Sequence, residues 1–176
     1  MQFIPTSIED LYLIKLDPLV DERGAFYRTY CKNEFEANLI SQPFVQCNLS
    51  INNKKGTLRG MHFQDAPFQE GKLVRCTLGA IFDVVLDIRK NSPTYKKWVG
   101  FELTDSNYTQ LYIGKGLAHG FQSLVDKSHV FYQMTEFYHP ENANGIRFND
   151  PEFDIDWPIK DKIISEKDLS YSDFCL

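Results

Sequence analysis

Short apolar stretches alternate with turn-forming residues through the middle of the chain. Each stretch is rich in Val, Ile, Phe, Tyr and Thr, and Gly, Pro, Asn and Asp separate it from the next. Segments of this kind, repeated about every ten residues, are typical of antiparallel strands joined by tight turns. The pattern therefore predicts strands at residues 57–64, 72–79, 80–88, 99–104, 110–114, 116–125 and 129–138.

Helical periodicity is confined to two short places. Residues 32–40 fit one short helix, and the tail over residues 167–176 has room for another turn or two. Residues 139–162 contain several prolines, which predicts an irregular loop that crosses the surface. Because such short helices cannot cover a parallel sheet, we expect an all-β sandwich or barrel rather than alternating strands and helices.

Composition narrows the class of partner. The 176 residues suit a single domain over residues 1–176, and a chain with 43% hydrophobic residues can bury a core. Since 24 acidic residues outnumber 19 basic ones, the net charge is −5 and nothing attracts the whole chain to phosphate backbones or anionic lipid. We therefore expect no nucleic-acid partner and no membrane partner.

The cysteines and the N-terminus bear on the compartment. Cys31, Cys47, Cys76 and Cys175 are widely spaced and form no C-x-x-C pair, which indicates neither a zinc site nor a disulfide framework. The first residues lack the features of a signal peptide, and no stretch approaches the roughly 20 apolar residues of a membrane span. We therefore expect reduced thiols and a cytoplasmic protein.

Two of the four histidines lie in strand-like segments next to glycines, His62 in LRGMHFQ and His119 in GLAHGF. One such residue is usually a core imidazole satisfied by a neighbour. Two of them, with Arg59 and Lys72 on neighbouring segments, favour a polar cavity inside a β barrel. A metal site is the competing interpretation, but the closely spaced H-x-H pair is missing, so we expect no metal unless both histidines converge with an acid.

Strand parity adds a constraint, because alternate residues face opposite sides of a sheet. Tyr132 and Tyr138 share a face and are expected to look into one cavity, with a half-buried aromatic stripe as the alternative. Arg59 and His62 have opposite parity. Their joint placement in a site requires a bulge between them, and Gly60 is where a bulge forms most easily.

Seven strings resemble one family in the right order. They are DERGAF (21–26), GTLRGMHFQ, QEGKLVRCTLGAIFDVVLDIRKNSPTY, GLAHGFQSL, VFYQMTEFY, NDPEFDIDWP and SEKD (165–168). Together they span most of the chain, which is thereby similar to the dTDP-4-dehydrorhamnose 3,5-epimerase family of nucleotide-sugar enzymes. The resemblance implies a cupin-type jelly roll with a few short helices, a homodimer, no metal or other cofactor, and a nucleoside-diphosphate 4-keto-6-deoxysugar as substrate.

The resemblance also assigns roles for epimerisation at C3 and C5 through an enolate. His62 is the base, Asp168 of SEKD orients its imidazole, Lys72 stabilises the C4 oxygen, and Tyr132 returns a proton from the opposite face. Arg23 and Arg59 match positions that bind the diphosphate. Further ligand-lining positions, two of them on a strand around QCNLS, are Gln46, Asn48, His119, Tyr138 and Lys167.

Three positions depart from the family pattern. Arg28 stands where a glutamate that contacts the substrate is usual, Asn144 replaces an acid, and Leu49 replaces a histidine. Arg28 and Asn144 remain candidates for substrate binding. Because all three lie where the nucleotide or sugar is expected to be read, the reaction type is better supported than the substrate.

Rival functions stay open at this point. The nearest are an epimerase that inverts only C3 or only C5, or one that acts on a different nucleotide sugar. Other classes are a non-catalytic barrel that binds sugar nucleotides and a metal-dependent cupin oxygenase or isomerase.

Overall fold

Two antiparallel β-sheets and a separate hairpin make up most of the structure, a computed structural model that describes residues 1–174. The strands are β1 (Gln2–Pro5), β2 (Leu11–Lys15), β3 (Leu19–Asp21), β4 (Gly24–Phe26), β5 (Gln46–Asn52), β6 (Leu58–Gln64), β7 (Lys72–Leu78), β8 (Ala80–Asp87), β9 (Trp98–Thr104), β10 (Thr109–Ile113), β11 (Leu117–Ser123), β12 (Ser128–Met134) and β13 (Ala143–Gly145). The helices are α1 (Lys32–Ala37) and α2 (Glu166–Leu169).

The strands are shared between two layers. One sheet has the order β1-β2-β10-β7-β12-β5, and the other has the order β13-β6-β11-β8-β9. Strands β3 and β4 pair only with each other. The prediction of an all-β jelly roll with a few short helices is therefore confirmed.

Strand β8 shows how an apolar run comes to lie inside this fold. Ile81 and Val85 belong to the core between the two sheets. Val84 and Leu86 point to the other side, where residues of the segment 146–157 cover them. Because both faces are covered, the strand is almost continuously buried, which matches its nearly unbroken apolar sequence.

The seven predicted strands are all present, but the one predicted at 129–138 is too long. It ends at Met134, because both of its neighbours begin opposite that residue. Met134 pairs with Gln46, the first residue of β5, and with Lys72, the first residue of β7. Beyond Met134 the ladder has no partner strand to continue on.

Other departures involve short elements. Strands β1 to β4 were not expected, and the predicted irregular loop over residues 139–162 contains β13, which pairs with the edge of β6. The helix predicted at 32–40 ends at Ala37, and Leu39 has a left-handed φ of 65°, which a continuing helix excludes. The predicted helical turn of the tail is α2, and residues 175 and 176 lie outside the described residues.

Two further findings concern the helices and the thiols. Within residues 1–174, neither helix has the length or apolar character needed to cross a membrane. Cys31, Cys47 and Cys76 are free thiols, and burial raises the pKa of Cys76 to about 11. Cys175 lies outside the described residues.

Candidate active site

A cavity of about 570 Å³ lies between the two sheets. Its walls come from β5, β7 and β12 on one side and from β6 and β11 on the other, and residues of β13 and α2 also line it. Ten of the predicted site residues line this cavity: Gln46, Asn48, Arg59, His62, Lys72, His119, Tyr132, Tyr138, Asn144 and Lys167.

A bulge in β6 brings Arg59 and His62 to the same face. His62 pairs with His119 on β11, whereas Arg59 pairs with Phe121, so three steps along β6 match two steps along β11. The extra residue falls at Gly60, which has a φ of 126° and whose missing Cβ would lie 2.5 Å from a backbone atom of β11. Only glycine fits there, and the bulge expected from strand parity is present at this residue.

His62 is paired with a buried carboxylate. Its Nε2 lies 2.8 Å from Oδ1 of Asp168, whose side chain is 7% exposed. The Ser165 hydroxyl caps α2 by accepting from the N–H of Asp168, and this cap fixes the turn that carries the carboxylate. The backbone N–H of Gly60 donates to the other oxygen, Oδ2, at 3.2 Å. The bulge and the helix cap together hold Asp168 against the imidazole.

The electrostatics of this pair fix the tautomer of His62. Burial alone would raise the pKa of Asp168. The hydrogen bond and charge interaction with His62, together with the hydrogen bonds of Gly60 and Ser165, outweigh the effect of burial and lower the pKa of Asp168. An ionised carboxylate only accepts hydrogen bonds, so Nε2 of the neutral imidazole donates to it. The other nitrogen, Nδ1, is then left as a proton acceptor.

Tyr132 approaches the cavity from the opposite sheet. It lies on β12, where it pairs with Asn48 of β5, whereas His62 lies on β6. Burial raises the pKa of the Tyr132 phenol, with a smaller opposing effect from Arg59. The phenol is therefore protonated at neutral pH and able to donate a proton.

Lys72 places a buried cation in the cavity wall. Its Nζ lies 2.8 Å from Oε1 of Glu70 and 3.4 Å from the backbone oxygen of His62. The ammonium is thus held in the cavity wall beside the backbone of His62. A fixed cation here is suited to stabilising negative charge that develops on a bound ligand.

His119 forms a second histidine–carboxylate pair. Its Nε2 lies 3.0 Å from each oxygen of Asp83, which is fully buried on β8. His119 itself is buried and sits beside His62 across the pairing of β6 and β11. The arrangement fixes the orientation of His119 in the cavity wall.

Tyr138 lines the same cavity as Tyr132, although the strand on whose parity this was expected ends at Met134. It lies beyond the end of β12, and its backbone N–H donates to Oε1 of Gln46 at 3.1 Å. The amide of Gln46 also donates to Oδ1 of Asn48 at 3.2 Å. The start of β5 therefore holds the segment that carries Tyr138, whose side chain remains half exposed.

Exposed polar and charged groups also line the cavity. Arg59 and Lys167 contribute exposed cations, and the Arg59 Nε donates to Oδ1 of Asn52 at 2.9 Å. Asn144 donates to Asp65 at 3.3 Å, and Leu49, one of the positions that departs from the family pattern, is an exposed apolar part of the wall. This distribution suits an anionic ligand with an apolar portion.

Arg23 and Arg28 lie away from this cavity. Arg23 is 84% exposed next to the β3–β4 hairpin and pairs with Asp21. Arg28 is 65% exposed and pairs with Glu34 of α1 at 2.9 Å. Within one chain these two residues do not join the other predicted site residues.

The sequence prediction missed three polar residues of the site. Asp83 supports His119, Glu70 pairs with Lys72, and the Tyr171 ring packs at 70° to the His62 ring with centroids 6.3 Å apart. Two of them left a signal: Asp83 interrupts an apolar strand, and Glu70 has the same parity as Lys72. Tyr171 had none, because it follows α2 in the irregular tail.

A metal centre has no obvious ligand set here. Among residues 1–174, no group of three or more His, Cys, Asp and Glu side chains is arranged to hold a metal ion.

These features together define a class of protein. A proton acceptor, a proton donor and a buried cation converge from two facing sheets on one cavity. This set of groups defines an acid–base enzyme with a β jelly-roll fold. A family model described as dTDP-4-dehydrorhamnose 3,5-epimerase matches residues 5–175. The chain belongs to this family and is an isomerase of the epimerase type.

Individual relatives agree with the family match. The chain is 46% identical over 173 residues to the dTDP-4-dehydrorhamnose 3,5-epimerase of Methanothermobacter thermautotrophicus, an alignment that covers 97% of this chain and 92% of that protein. It is also similar to two solved structures. One is the dTDP-4-dehydrorhamnose 3,5-epimerase of Bacillus anthracis with TDP and PPi bound, with a TM-score of 0.96, 39% identity and coverage of 98% of this chain and 99% of that one.

The second structure contains a sugar nucleotide. It is a dTDP-6-deoxy-D-glucose-3,5-epimerase of Legionella pneumophila in complex with dTDP-4-keto-L-rhamnose. Its TM-score is 0.92 at 41% identity, and the match covers 97% of this chain and 90% of that one.

Proposed function

We propose that the chain inverts C3 and C5 of a 4-keto-6-deoxyhexose attached to dTDP. The observation that carries the proposal is the His62–Asp168 pair, which faces Tyr132 across a cavity that also holds Lys72. The family of the chain and the keto-sugar nucleotide in the Legionella pneumophila structure support this ligand class.

The proposed reaction needs only proton transfers. A ketone at C4 acidifies the protons on C3 and C5, so Nδ1 of His62 removes one and leaves an enolate whose negative charge resides on the C4 oxygen. The Lys72 ammonium stabilises that oxygen. Tyr132 then donates its proton to the carbon from the opposite face, which inverts the centre. Protons exchanged with solvent restore His62 and Tyr132 after each inversion.

The remaining cavity residues fit a nucleoside diphosphate. Arg59 is assigned to the diphosphate, because its guanidinium can engage two oxygens at once. We assign the remaining ligand contacts, to the sugar and nucleotide, to the other lining residues: Gln46, Asn48, His119, Tyr138, Asn144 and Lys167.

The test is the incorporation of solvent deuterium into a panel of nucleotide-linked 4-keto-6-deoxysugars. We expect exchange and inversion at both C3 and C5 of dTDP-4-keto-6-deoxyglucose, measured by proton NMR, and slower turnover with other nucleotides.

Activity should survive exhaustive EDTA treatment, because Lys72 rather than a metal ion is assigned to the enolate oxygen. Exchange at only one carbon, faster turnover of another nucleotide sugar, or activity restored only by a metal would each contradict part of the assignment.

We also propose that two copies form a homodimer that completes the site. The β3–β4 hairpin exposes Leu19, Val20 and Phe26 to 72%, 69% and 75%, and grouped exposed apolar side chains mark protein interaction surfaces. Strand β5 is an unpaired edge with exposed apolar residues that also line the cavity. A second copy that covers both surfaces can bring its own Arg23 and Arg28 to this cavity.

Light scattering tests the dimer, and an Arg23→Ala variant tests the role assigned to Arg23 in ligand binding. We expect a dimer at micromolar concentration by light scattering, and an Arg23→Ala variant that stays dimeric while its KM rises about tenfold or more, as the loss of a charged hydrogen bond implies. Lys90→Ala, another exposed cation, serves as the control and should change neither quantity. A monomeric wild-type protein, or an unchanged KM in Arg23→Ala, is the contrary result.

The compartment is part of the proposal. We place the chain in the cytoplasm as a single domain over residues 1–176. The free thiols of Cys31, Cys47 and Cys76 support this placement, since thiols persist in a reducing compartment.

A further inference from the structure

A second buried charge, Glu70, lies beside Lys72 in the cavity wall. The side chains of Glu70 and Lys72 are only 4% and 9% exposed, and Oε1 of Glu70 lies 2.8 Å from Nζ of Lys72. The other oxygen, Oε2, accepts from the backbone N–H of Gln64 at 3.2 Å. A carboxylate this deeply buried is costly unless it is both paired and hydrogen-bonded, and Glu70 is both.

The backbone fixes the direction of this ion pair. Glu70 and Lys72 are two residues apart, on either side of Gly71. The N–H of Gly71 donates to the Thr135 hydroxyl at 2.7 Å, and the N–H of Thr135 donates to the Gly71 oxygen at 2.9 Å. These two bonds tie the start of β7 to the end of β12, so both side chains enter the cavity from a fixed point.

The hydrogen bonds of the ammonium show what Glu70 achieves. A lysine side chain is long and flexible, and its ammonium has three donor positions. One position is directed at Glu70 and a second at the backbone oxygen of His62, 3.4 Å away. Within residues 1–174 no other group accepts from Nζ, so the third position can serve a ligand atom.

We propose that Glu70 is a positioning residue that aims the Lys72 ammonium at the C4 oxygen of the sugar. The inference rests on the proposed function, since it takes Lys72 as the group that stabilises the enolate. In this role Glu70 acts through Lys72 rather than on the reacting atoms. Its contribution is to fix an otherwise mobile cation before the charge on the enolate develops, as electrostatic stabilisation requires.

The charge of Glu70 also affects the proton donor. Burial raises the pKa of Tyr132, and the negative charge of Glu70 raises it further. Glu70 therefore supports the protonated phenol as well as the orientation of the ammonium. Before a ligand binds, the negative charge of Glu70 also offsets the positive charge of Lys72. Glu70 therefore does not help the cavity to attract an anionic nucleotide.

The first experiment compares catalysis with binding in Glu70→Gln. We expect kcat for the epimerisation to fall about tenfold to a hundredfold, because the hydrogen bond that holds the ammonium loses its charged acceptor. The Kd for dTDP should be unchanged or tighter, because the variant removes a negative charge from the cavity. Unchanged kcat, or a kcat and an affinity that fall together, would overturn the inference.

A double-mutant cycle tests whether Glu70 acts through Lys72. Because Glu70 acts on the reaction chiefly through Lys72, Glu70→Gln should cost little further activity once Lys72→Met has removed the ammonium. The double variant should also have a higher Tm than Lys72→Met alone, which leaves the Glu70 carboxylate buried without its partner. Multiplicative losses of activity in the double variant would contradict the inference.

Two further variants separate this role from folding. Glu70→Asp keeps the charge but shortens the side chain, and we expect it to fold with a kcat between those of the wild type and Glu70→Gln. Glu152→Gln removes an exposed acid that pairs with Lys96 at 2.7 Å, and it should leave kcat unchanged. A Glu70→Asp variant that folds and has the wild-type kcat would show that catalysis does not depend on the orientation that Glu70 gives the Lys72 ammonium.

The wild-type protein distinguishes this inference from the proposed function. If the wild type exchanges no substrate proton with deuterated solvent in any 4-keto sugar nucleotide, the proposed function fails. If the wild type exchanges and Glu70→Gln matches it, only the inference about Glu70 fails.

Discussion

Replacing His62 with alanine is expected to lower deuterium exchange at both C3 and C5 by about a thousandfold, within the ~10²–10⁴-fold that a positioned general base contributes. One imidazole serves both carbons in the proposed reaction, so both exchange rates should fall together. Proton NMR of the substrate in deuterated solvent measures both carbons in a single sample. Exchange at the wild-type rate in His62→Ala would remove His62 from the mechanism.

The loss in His62→Ala should not come from unfolding. Asp168 keeps the hydrogen bond from the Gly60 N–H and its place in the capped turn of α2 after the imidazole is removed. His129→Ala provides a matched control, because His129 lies on β12 but does not line the cavity. Its exchange rates should equal those of the wild type, and the Tm of both variants should confirm that they are folded.

Asp168→Asn should have a smaller effect than His62→Ala. The amide preserves much of the shape but loses the charge that orients the imidazole, so we expect a loss of roughly tenfold to a hundredfold, as for other groups that orient a catalytic residue. The lowered pKa of Asp168 means that its charge is present at neutral pH and is lost only as the pH falls below the ordinary value of 3.8. An Asp168→Asn variant as impaired as His62→Ala would indicate a more direct role for the carboxylate.

The sequence predicted strands best where both faces of a strand are buried or where the two faces differ clearly. The near-continuous apolar run of β8 is an example of the first kind. It missed β13, which has only three residues and is defined by its pairing with β6 rather than by its own pattern. The overlong end assigned to β12 has the same origin, because a ladder ends where its partner strands end and not where β-favouring residues stop.

Some features of the site could be predicted from local sequence pattern, and others depend on contacts between residues far apart in the chain. Parity predicted a bulge if Arg59 and His62 share a site, and the glycine at position 60 located it. The pairing of His62 with Asp168 joins residues 106 positions apart, so only the resemblance connected them in advance. Glu70 was missed although it shares parity with Lys72, because parity does not show that the two side chains are buried 2.8 Å apart.

The second large effect is expected in Tyr132→Phe, and it separates the proton donor from the base. The substitution removes the phenol oxygen and keeps the ring, so the packing of Tyr132 against the core between the sheets is preserved. His62, Asp168 and Lys72 are untouched. Exchange of substrate protons with deuterated solvent should therefore persist, while the inverted sugar forms about a hundredfold more slowly, in line with the contribution of a general acid.

Tyr30→Phe is the control for this experiment. Tyr30 packs against Phe35 and Phe44 next to α1 and does not line the cavity. It also loses only a phenol oxygen, so exchange and inversion should both remain at wild-type rates. A fall in either rate would mean that the method does not isolate the cavity phenol.

The reason for the split between exchange and inversion lies in the two facing sheets. His62 approaches from β6 and Tyr132 from β12, so an enolate without the phenol is reprotonated mainly by His62, on the face from which the proton left. Such a return gives exchange without inversion. The resemblance places the tyrosine nearer C5, and the loss of inversion should therefore be larger at C5 than at C3. If exchange and inversion fall in parallel, or neither falls, Tyr132 is not the dedicated acid, and donation from a second face must come from another group.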